Sequence, residues 1–261
     1  MIISAADSKK LIQQIEDSIR NLKRNGGKDA YFNVIYYTEE SDLWYNDSEL
    51  AHFMGDYVVD VSRGASKTVL FMRDFPNIVV KIPMIGELYY TEDEDDFVDW
   101  EDEYDVENYH SAELYDEEDD DCSPIVDCDW NYCEVETQIY KIAKELNVQM
   151  MLAETDYLCD IFNHPVYIAE RCDVVPNYRG RSNSSIKEYR DNAYEMNKIT
   201  DRNSRITYDD YLCFIEGYGI SAAWRIAEFI SRFKIYDLHS NNFGYDRNGK
   251  IKIIDYSDFN G

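Results

Sequence analysis

Between Glu92 and Asp121 the chain carries eighteen Asp or Glu in thirty residues and no Lys or Arg. A block of like charge this dense repels itself and has too little apolar surface to form an interior. Whatever the chain folds into is therefore built from the segments on either side, with the block as an insert. Its scattered Phe97, Trp100, Tyr104, Tyr109, Leu114 and Tyr115 are anchors for docking it on a partner or on the body of the protein. The formal charge of −27, from 26 Lys+Arg and 53 Asp+Glu, divides unevenly. The block holds −18 of it, which leaves −9 for the other 231 residues, an ordinary value for a folded domain.

A field of this sign repels phosphate backbones and anionic lipid, so direct nucleic-acid binding is excluded as an expectation. It leaves a basic partner, a divalent cation, or solubility alone. No apolar run approaches the roughly 18 residues that span a bilayer, so no membrane contact is expected. Met1-Ile2-Ile3, followed by Asp7, Lys9 and Lys10, lacks the apolar stretch and cleavage site of a secretory signal. The six cysteines (122, 128, 133, 159, 172, 213) form no C-x-x-C pair. They read as reduced structural thiols of a cytoplasmic protein, with a zinc site from Cys122, Cys128 and Cys133 as the alternative, although their spacing fits no knuckle and His110 is the only nearby histidine.

On the near side of the insert, Leu11, Ile12, Ile15, Ile19 and Leu22 give a helix over 7–25 that ends at Gly26-Gly27. Three short β-type runs follow: Tyr57 to Val61, Thr68 to Phe71 and Ile78 to Ile82. Beyond the insert a helix resumes near Asp129, with Tyr132, Glu136, Ile139, Tyr140 and Ala143 on one face. Extended stretches near 150–158 and at 166–170 come next, then a polar, turn-rich region (173–185). Helices to about Met196 and over roughly 208–233 follow, the latter broken at Gly217 and Gly219. The chain closes with a hairpin turning at Asp246-Arg247-Asn248-Gly249.

The chemistry-bearing pattern lies around that hairpin. Asp237 precedes Asn242 by five residues, and Asp255 follows Asn242 by thirteen. Phosphoryl transfer needs a carboxylate near the attacking hydroxyl and oxygen ligands that hold Mg²⁺ against nucleotide phosphates. A loop followed by a hairpin can deliver all three. Here the sequence resembles the protein-kinase-like fold in its atypical D-L-H-x-x-N branch, which includes aminoglycoside-phosphotransferase-like enzymes and small kinase-like proteins of bacteriophages.

The resemblance is carried by Asp237-Leu238-His239-Ser240-Asn241-Asn242, which looks like the catalytic loop, and by Asp255-Tyr256-Ser257, which stands where the family has D-F-G. It implies Asp237 as catalytic base and Asn242 and Asp255 as Mg²⁺ ligands. Ile78-Val79-Val80-Lys81-Ile82 resembles the strand with the phosphate-binding lysine, which makes Lys81 the candidate. Glu136 is its expected acidic partner, with Glu134 as runner-up. Ser62-Arg63-Gly64-Ala65-Ser66 takes the place of the phosphate-covering loop, with one glycine where typical kinases have three. Gly64, Ala65, Ser66 and Lys81 are thus the expected nucleotide contacts, joined by Glu170 and Cys172 of the Glu170-Arg171-Cys172 run, whose backbone stands where a hinge meets adenine.

Taken singly, each has a plainer reading. Asp237 and Asn242 are good turn formers, Asp255 ends a strand, a strand lysine faces solvent, and Glu136 is a solvated helix charge. Order and element type together are what favour the fold. Three departures accompany the resemblance. Ile235-Tyr236 replaces the His-Arg that normally precedes the catalytic Asp. The sequence ends six residues after Asp255, so an activation segment and helical substrate platform are not expected. Asn241 replaces the glycine of the commoner D-L-H-x-G-N pattern.

The expected fold is thus α+β: a two-lobed, protein-kinase-like architecture with an antiparallel N-lobe sheet and a minimal, truncated helical C-lobe. The expected division is an N-terminal helix and extension (1–54), an N-lobe carrying the insert (55–172) and a C-lobe (173–261). The resemblance implies an ATP- and Mg²⁺-dependent phosphotransferase, a small virus-encoded enzyme acting on Ser/Thr of host proteins in the host cytoplasm. The alternative is a catalytically inactive kinase-like binder whose insert engages a host protein with a basic surface.

Overall fold

The computed structural model describes residues 3–36, 45–64, 66–84, 131–174, 184–200 and 202–256. The acidic block 92–121, Ala65, Cys122, Cys128 and Ser257 lie outside the described residues. The fold is α+β. Its main layer is a five-stranded antiparallel sheet ordered β1-β2-β3-β5-β4, from β1 (Val58–Arg63), β2 (Lys67–Met72), β3 (Ile78–Pro83), β4 (Thr155–Ile161) and β5 (His164–Glu170). A three-stranded sheet joins β6 (Asp173–Val174), β7 (Phe243–Tyr245) and β8 (Ile251–Ile253). Among the described residues there are six α-helices: α1 (Ala5–Ile35), α2 (Asp47–Met54), α3 (Tyr132–Glu145), α4 (Lys187–Ile199), α5 (Tyr208–Tyr218) and α6 (Ile220–Phe233). None is long and apolar enough to cross a membrane.

The strand period of two assigns each face of the large sheet a different task. Leu70 and Met72 of β2, Val80 and Ile82 of β3, and Val166 and Ile168 of β5 point one way. They form a core with Leu11, Ile15, Ile19 and Leu22 of α1 and Leu50 and Met54 of α2. The alternate positions of β2 and β3 therefore face the other way, and two of them are lysines, Lys67 and Lys81. A second core gathers Ile139, Tyr140 and Ala143 of α3 with α4, α5, α6 and the C-terminal strands. Two cores of this kind are compatible with a two-lobed arrangement.

The first helix ends where expected, at Gly26-Gly27: Gly27 takes φ 71°, a left-handed value open to glycine, and leaves the helical conformation. A second helical segment follows within α1, with Ala30, Tyr31, Val34 and Ile35 buried in the same core. A side chain at Gly26 would strike Ala30 and Phe53, so that glycine permits the close approach of α2. Helix α2 carries a capping box in which Asn46 accepts from the Glu49 amide and Glu49 from the Asn46 amide. The break in the 208–233 region falls at Gly219 (φ 84°); Gly217 lies within α5.

Candidate active site

Lys81 reaches its position because β3 pairs β2 on one side and β5 on the other, opposite Val69 and Tyr167. That places its side chain away from the α1 core and toward α3, where Glu136 waits with no exposed surface. Lys81 Nζ donates to Glu136 Oε2 at 2.6 Å. The expected pair is thus in contact. Glu134, its runner-up, is exposed and accepts from Gln138 one turn along the helix.

A second cation joins them. Lys67, at the start of β2, pairs with Pro83 across the hairpin, two residues beyond Lys81 on the same sheet face. Such diagonal neighbours lie within reach of long side chains. Lys67 Nζ donates to Glu136 Oε1 at 2.5 Å and to Asp255 Oδ1 at 3.0 Å. One buried carboxylate therefore binds an ammonium on each oxygen, and one of those ammoniums also holds Asp255. Lys81 closes the ring by donating to the Ile254 carbonyl at 3.2 Å.

The electrostatics follow from this ring. Burial opposes charge on Lys67, and the Glu136 and Asp255 carboxylates outweigh it, which holds the lysine protonated. Burial likewise pushes the Asp255 carboxyl up, and the Lys67 and Lys81 ammoniums overcome it and hold that carboxyl well below the usual carboxylate range. Two ammoniums and two carboxylates balance. Buried Cys133 stands beside them, its thiol pushed up to about 12 mainly by burial, an inert thiol. Among the described residues no group of three or more His, Cys, Asp or Glu is arranged to hold a metal ion.

The Asp237–Asn242 loop is anchored from two sides. Asp237 and Leu238 donate their amides to the carbonyls of Asn203 and Ser204 at 3.2 and 2.7 Å. Asn242 Nδ2 donates to the Asp237 carbonyl at 2.8 Å, and the Asn242 carbonyl accepts from the Ile254 amide at 2.8 Å. The loop is thus stitched to the residue that precedes Asp255. Asn242 and Asp255 bring an amide oxygen and a carboxylate, hard oxygen donors of the kind Mg²⁺ takes alongside phosphate oxygens. The amide nitrogen of Asn242 is spent inside the loop, so its oxygen is the atom with coordination chemistry to offer. By donor type, the pair fits the ion.

Sequence reasoning gave no role to Arg205. Its guanidinium lies 2.6 Å from Asp237 Oδ1, while His239 Nε2 lies 3.7 Å from Oδ2. His239 Nδ1 accepts from the Asn241 amide at 3.2 Å. Arg205 and Asp237 both hold left-handed backbone angles, φ 57° and 54°. Such conformations cost a non-glycine residue on the order of 1 kcal/mol or more.

The remaining expected contacts are placed as follows. Ser62 and Arg63 belong to β1, so the hairpin loop shrinks to Gly64–Ser66, closed by the Gly64 amide on the Lys67 carbonyl at 3.0 Å. Ser66 accepts from the Met84 amide at 2.9 Å. Arg63 turns back to Asp47, Asn33 and the Tyr45 carbonyl, an anchoring role. The Glu170 amide is bonded to the Glu154 carbonyl and the Arg171 amide to that of Asn77, at 2.7 and 3.0 Å. Cys172 follows, its thiol pushed up to about 12 mainly by burial. The Glu170 side chain is paired with Lys252.

No protein-family model, curated protein or solved structure matches this chain. What its fold defines is an α+β protein in which an antiparallel sheet, a helix glutamate and a C-terminal loop-and-hairpin meet at one charged cluster.

Proposed function

We propose that this chain is an ATP- and Mg²⁺-dependent phosphotransferase of protein-kinase-like fold that acts on protein serine or threonine hydroxyls. The observation that carries the reading is the continuous run of contacts from Glu136 through Lys81 and Lys67 to Asp255, and from Ile254 through Asn242 to Asp237. Lys81, Glu136, Asp237, Asn242 and Asp255, spread over 175 positions of the sequence, are linked in this one run. Lys81, held by Glu136, neutralises phosphate charge. Asn242 and Asp255 hold Mg²⁺, which when bound draws negative charge from the transferred phosphoryl group. Asp237, exposed at the loop, takes the proton of the attacking hydroxyl.

A second reading has its own support. Asp237 is engaged by Arg205 and Asp255 by Lys67, so both chemical carboxylates already have cations. A catalytically silent kinase-like binder, whose acidic insert captures a basic protein surface, is consistent with that. The test is transfer of labelled phosphate from Mg-ATP, alongside nucleotide-induced thermal shifts. For the enzyme, Asp237→Ala and Asp255→Ala abolish transfer, and Lys81→Ala diminishes both transfer and shift. No transfer to any protein, itself included, together with a shift unaffected by Lys81→Ala, overturns the proposal.

A further inference from the structure

We infer that Lys67 is a phosphate-site cation in its own right, and that it makes nucleotide binding by this chain largely independent of divalent metal. The inference rests on the nucleotide-site reading above and adds a residue to it. Three observations carry it. Lys67 and Lys81 lie on the same sheet face as diagonal neighbours, so their two ammoniums converge on one spot. Lys67 is almost completely buried, which no lysine tolerates without compensating charge, and its partners are Glu136 and Asp255. Asp255 in turn is the carboxylate to which a divalent cation would be drawn, and it is about one-third exposed.

The charge count decides between the roles open to Lys67. Without it, Lys81, Glu136 and Asp255 sum to −1, and a polyphosphate entering that field needs a metal ion to reverse its sign. With Lys67 the same cluster is neutral before any metal arrives. The ammonium at 3.0 Å from Asp255 Oδ1 also competes for the oxygen a metal ion would use. Both effects act in one direction: they improve metal-free binding and shrink the additional gain that Mg²⁺ provides. Lys67 is then a positioning residue for Asp255 and a direct contact for phosphate, whereas a purely structural lysine would leave the metal dependence of binding untouched.

The experiment is calorimetric titration of the full chain with ADP, once in excess EDTA and once in excess Mg²⁺, for wild type and for Lys67→Met. Circular dichroism confirms that the variant is folded, and Lys67→Gln, which keeps a hydrogen-bond donor toward Glu136, replaces it should it not fold. The readout is the ratio of the two affinities for each protein. In wild type, Mg²⁺ is expected to improve affinity by less than about threefold; in Lys67→Met by tenfold or more, chiefly through lost binding in EDTA. With Lys67→Gln in its place the ratio again rises to tenfold or more, because the ammonium is gone in both. A wild type that binds in Mg²⁺ but not in EDTA overturns this inference and leaves the nucleotide site standing. Equal ratios in wild type and Lys67→Met overturn it as well. A wild type that binds ADP under neither condition overturns the nucleotide-site reading, and this inference with it.

Discussion

Glu136→Gln preserves the shape of the side chain and removes its charge. The native carboxylate is wholly buried and takes Lys67 at 2.5 Å and Lys81 at 2.6 Å, one on each oxygen. The amide offers one acceptor and turns an NH₂ toward the second ammonium, donor against donor. Removing one partner of a buried ion pair costs about 3–5 kcal/mol. Lys67 keeps Asp255 and Lys81 keeps the Ile254 carbonyl, which places the loss at the lower end, roughly 3 kcal/mol. For a chain of this size each kcal/mol moves Tm by about 2–4 °C, so a fall of roughly 6–12 °C is expected.

Urea unfolding followed by tryptophan fluorescence measures the loss directly, and an unchanged slope assigns it to stability rather than to compactness. Glu134→Gln, two residues earlier on the exposed side of α3, serves as control and should stay within about 0.5 kcal/mol. Combining Glu136→Gln with Lys67→Met should cost less than the two singles added, by about 0.5–3 kcal/mol, because the substitutions share one contact. A Glu136→Gln loss below about 1 kcal/mol, or strict additivity, refutes the argument that this carboxylate balances both ammoniums.

The Arg205–Asp237 pair is exposed, so it contributes at most about 1 kcal/mol and its removal should leave Tm nearly unchanged. If Arg205 orients the base, Arg205→Ala lowers the turnover of phosphate transfer by about tenfold to a hundredfold, and unchanged turnover refutes the role. His164 opens β5 with its Nδ1 buried and without a hydrogen-bond partner among the described residues. Burial first, then the Lys23 ammonium, lower its pKa to about 4, against a partial opposing pull from Asp160. Between pH 6.5 and 4 the unfolded chain takes up a proton that the folded chain refuses, so stability falls as pH falls through that window. The loss amounts to about 2 kcal/mol at pH 5 relative to pH 7. His164→Phe should flatten the curve from chemical denaturation across those pH values; an unaltered slope rules His164 out as its source.

How much of this was legible in the sequence depended on how local the signal was. The apolar run of β3 with a lysine inside it, and the helical face shared by Glu136, Ile139, Tyr140 and Ala143, identified the Lys81–Glu136 pair before any coordinates. The Asp-Gly-bounded hairpin and the motif before it placed Asp255 near Asn242. Lys67 escaped because the strand reading began at Thr68. Starting β2 one residue earlier, and pairing it antiparallel with β3, puts Lys67 opposite Pro83 and hence beside Lys81. Helix α2 escaped although its Asn46–Glu49 capping box is a sequence pattern, because eight residues give too short a periodicity to stand out. The helical segment that follows the expected break at Gly27 escaped because the core it packs into, not local propensity, orders it. Arg205 carried no local signal: it sits in a polar turn, and its partner is 32 residues away.

The distribution of cations points the same way as the geometry. The chain has about two acidic residues for each basic one, so a carboxylate paired with a lysine or arginine is not the default here. Yet the four carboxylates at or beside the site are all paired: Glu136 with Lys67 and Lys81, Asp255 with Lys67, Asp237 with Arg205, and Glu170 with Lys252. Other cations pair too, as Lys10 does with Asp74 and Lys198 with Glu195, but those pairs are exposed, whereas the buried lysines among the described residues, Lys67 and Lys81, both lie at this cluster. A protein that only needed solubility has no use for buried lysines, whose desolvation opposes folding. A site that must admit a polyanion into an otherwise acidic molecule does, because neutralising its own carboxylates beforehand is what lets phosphate approach.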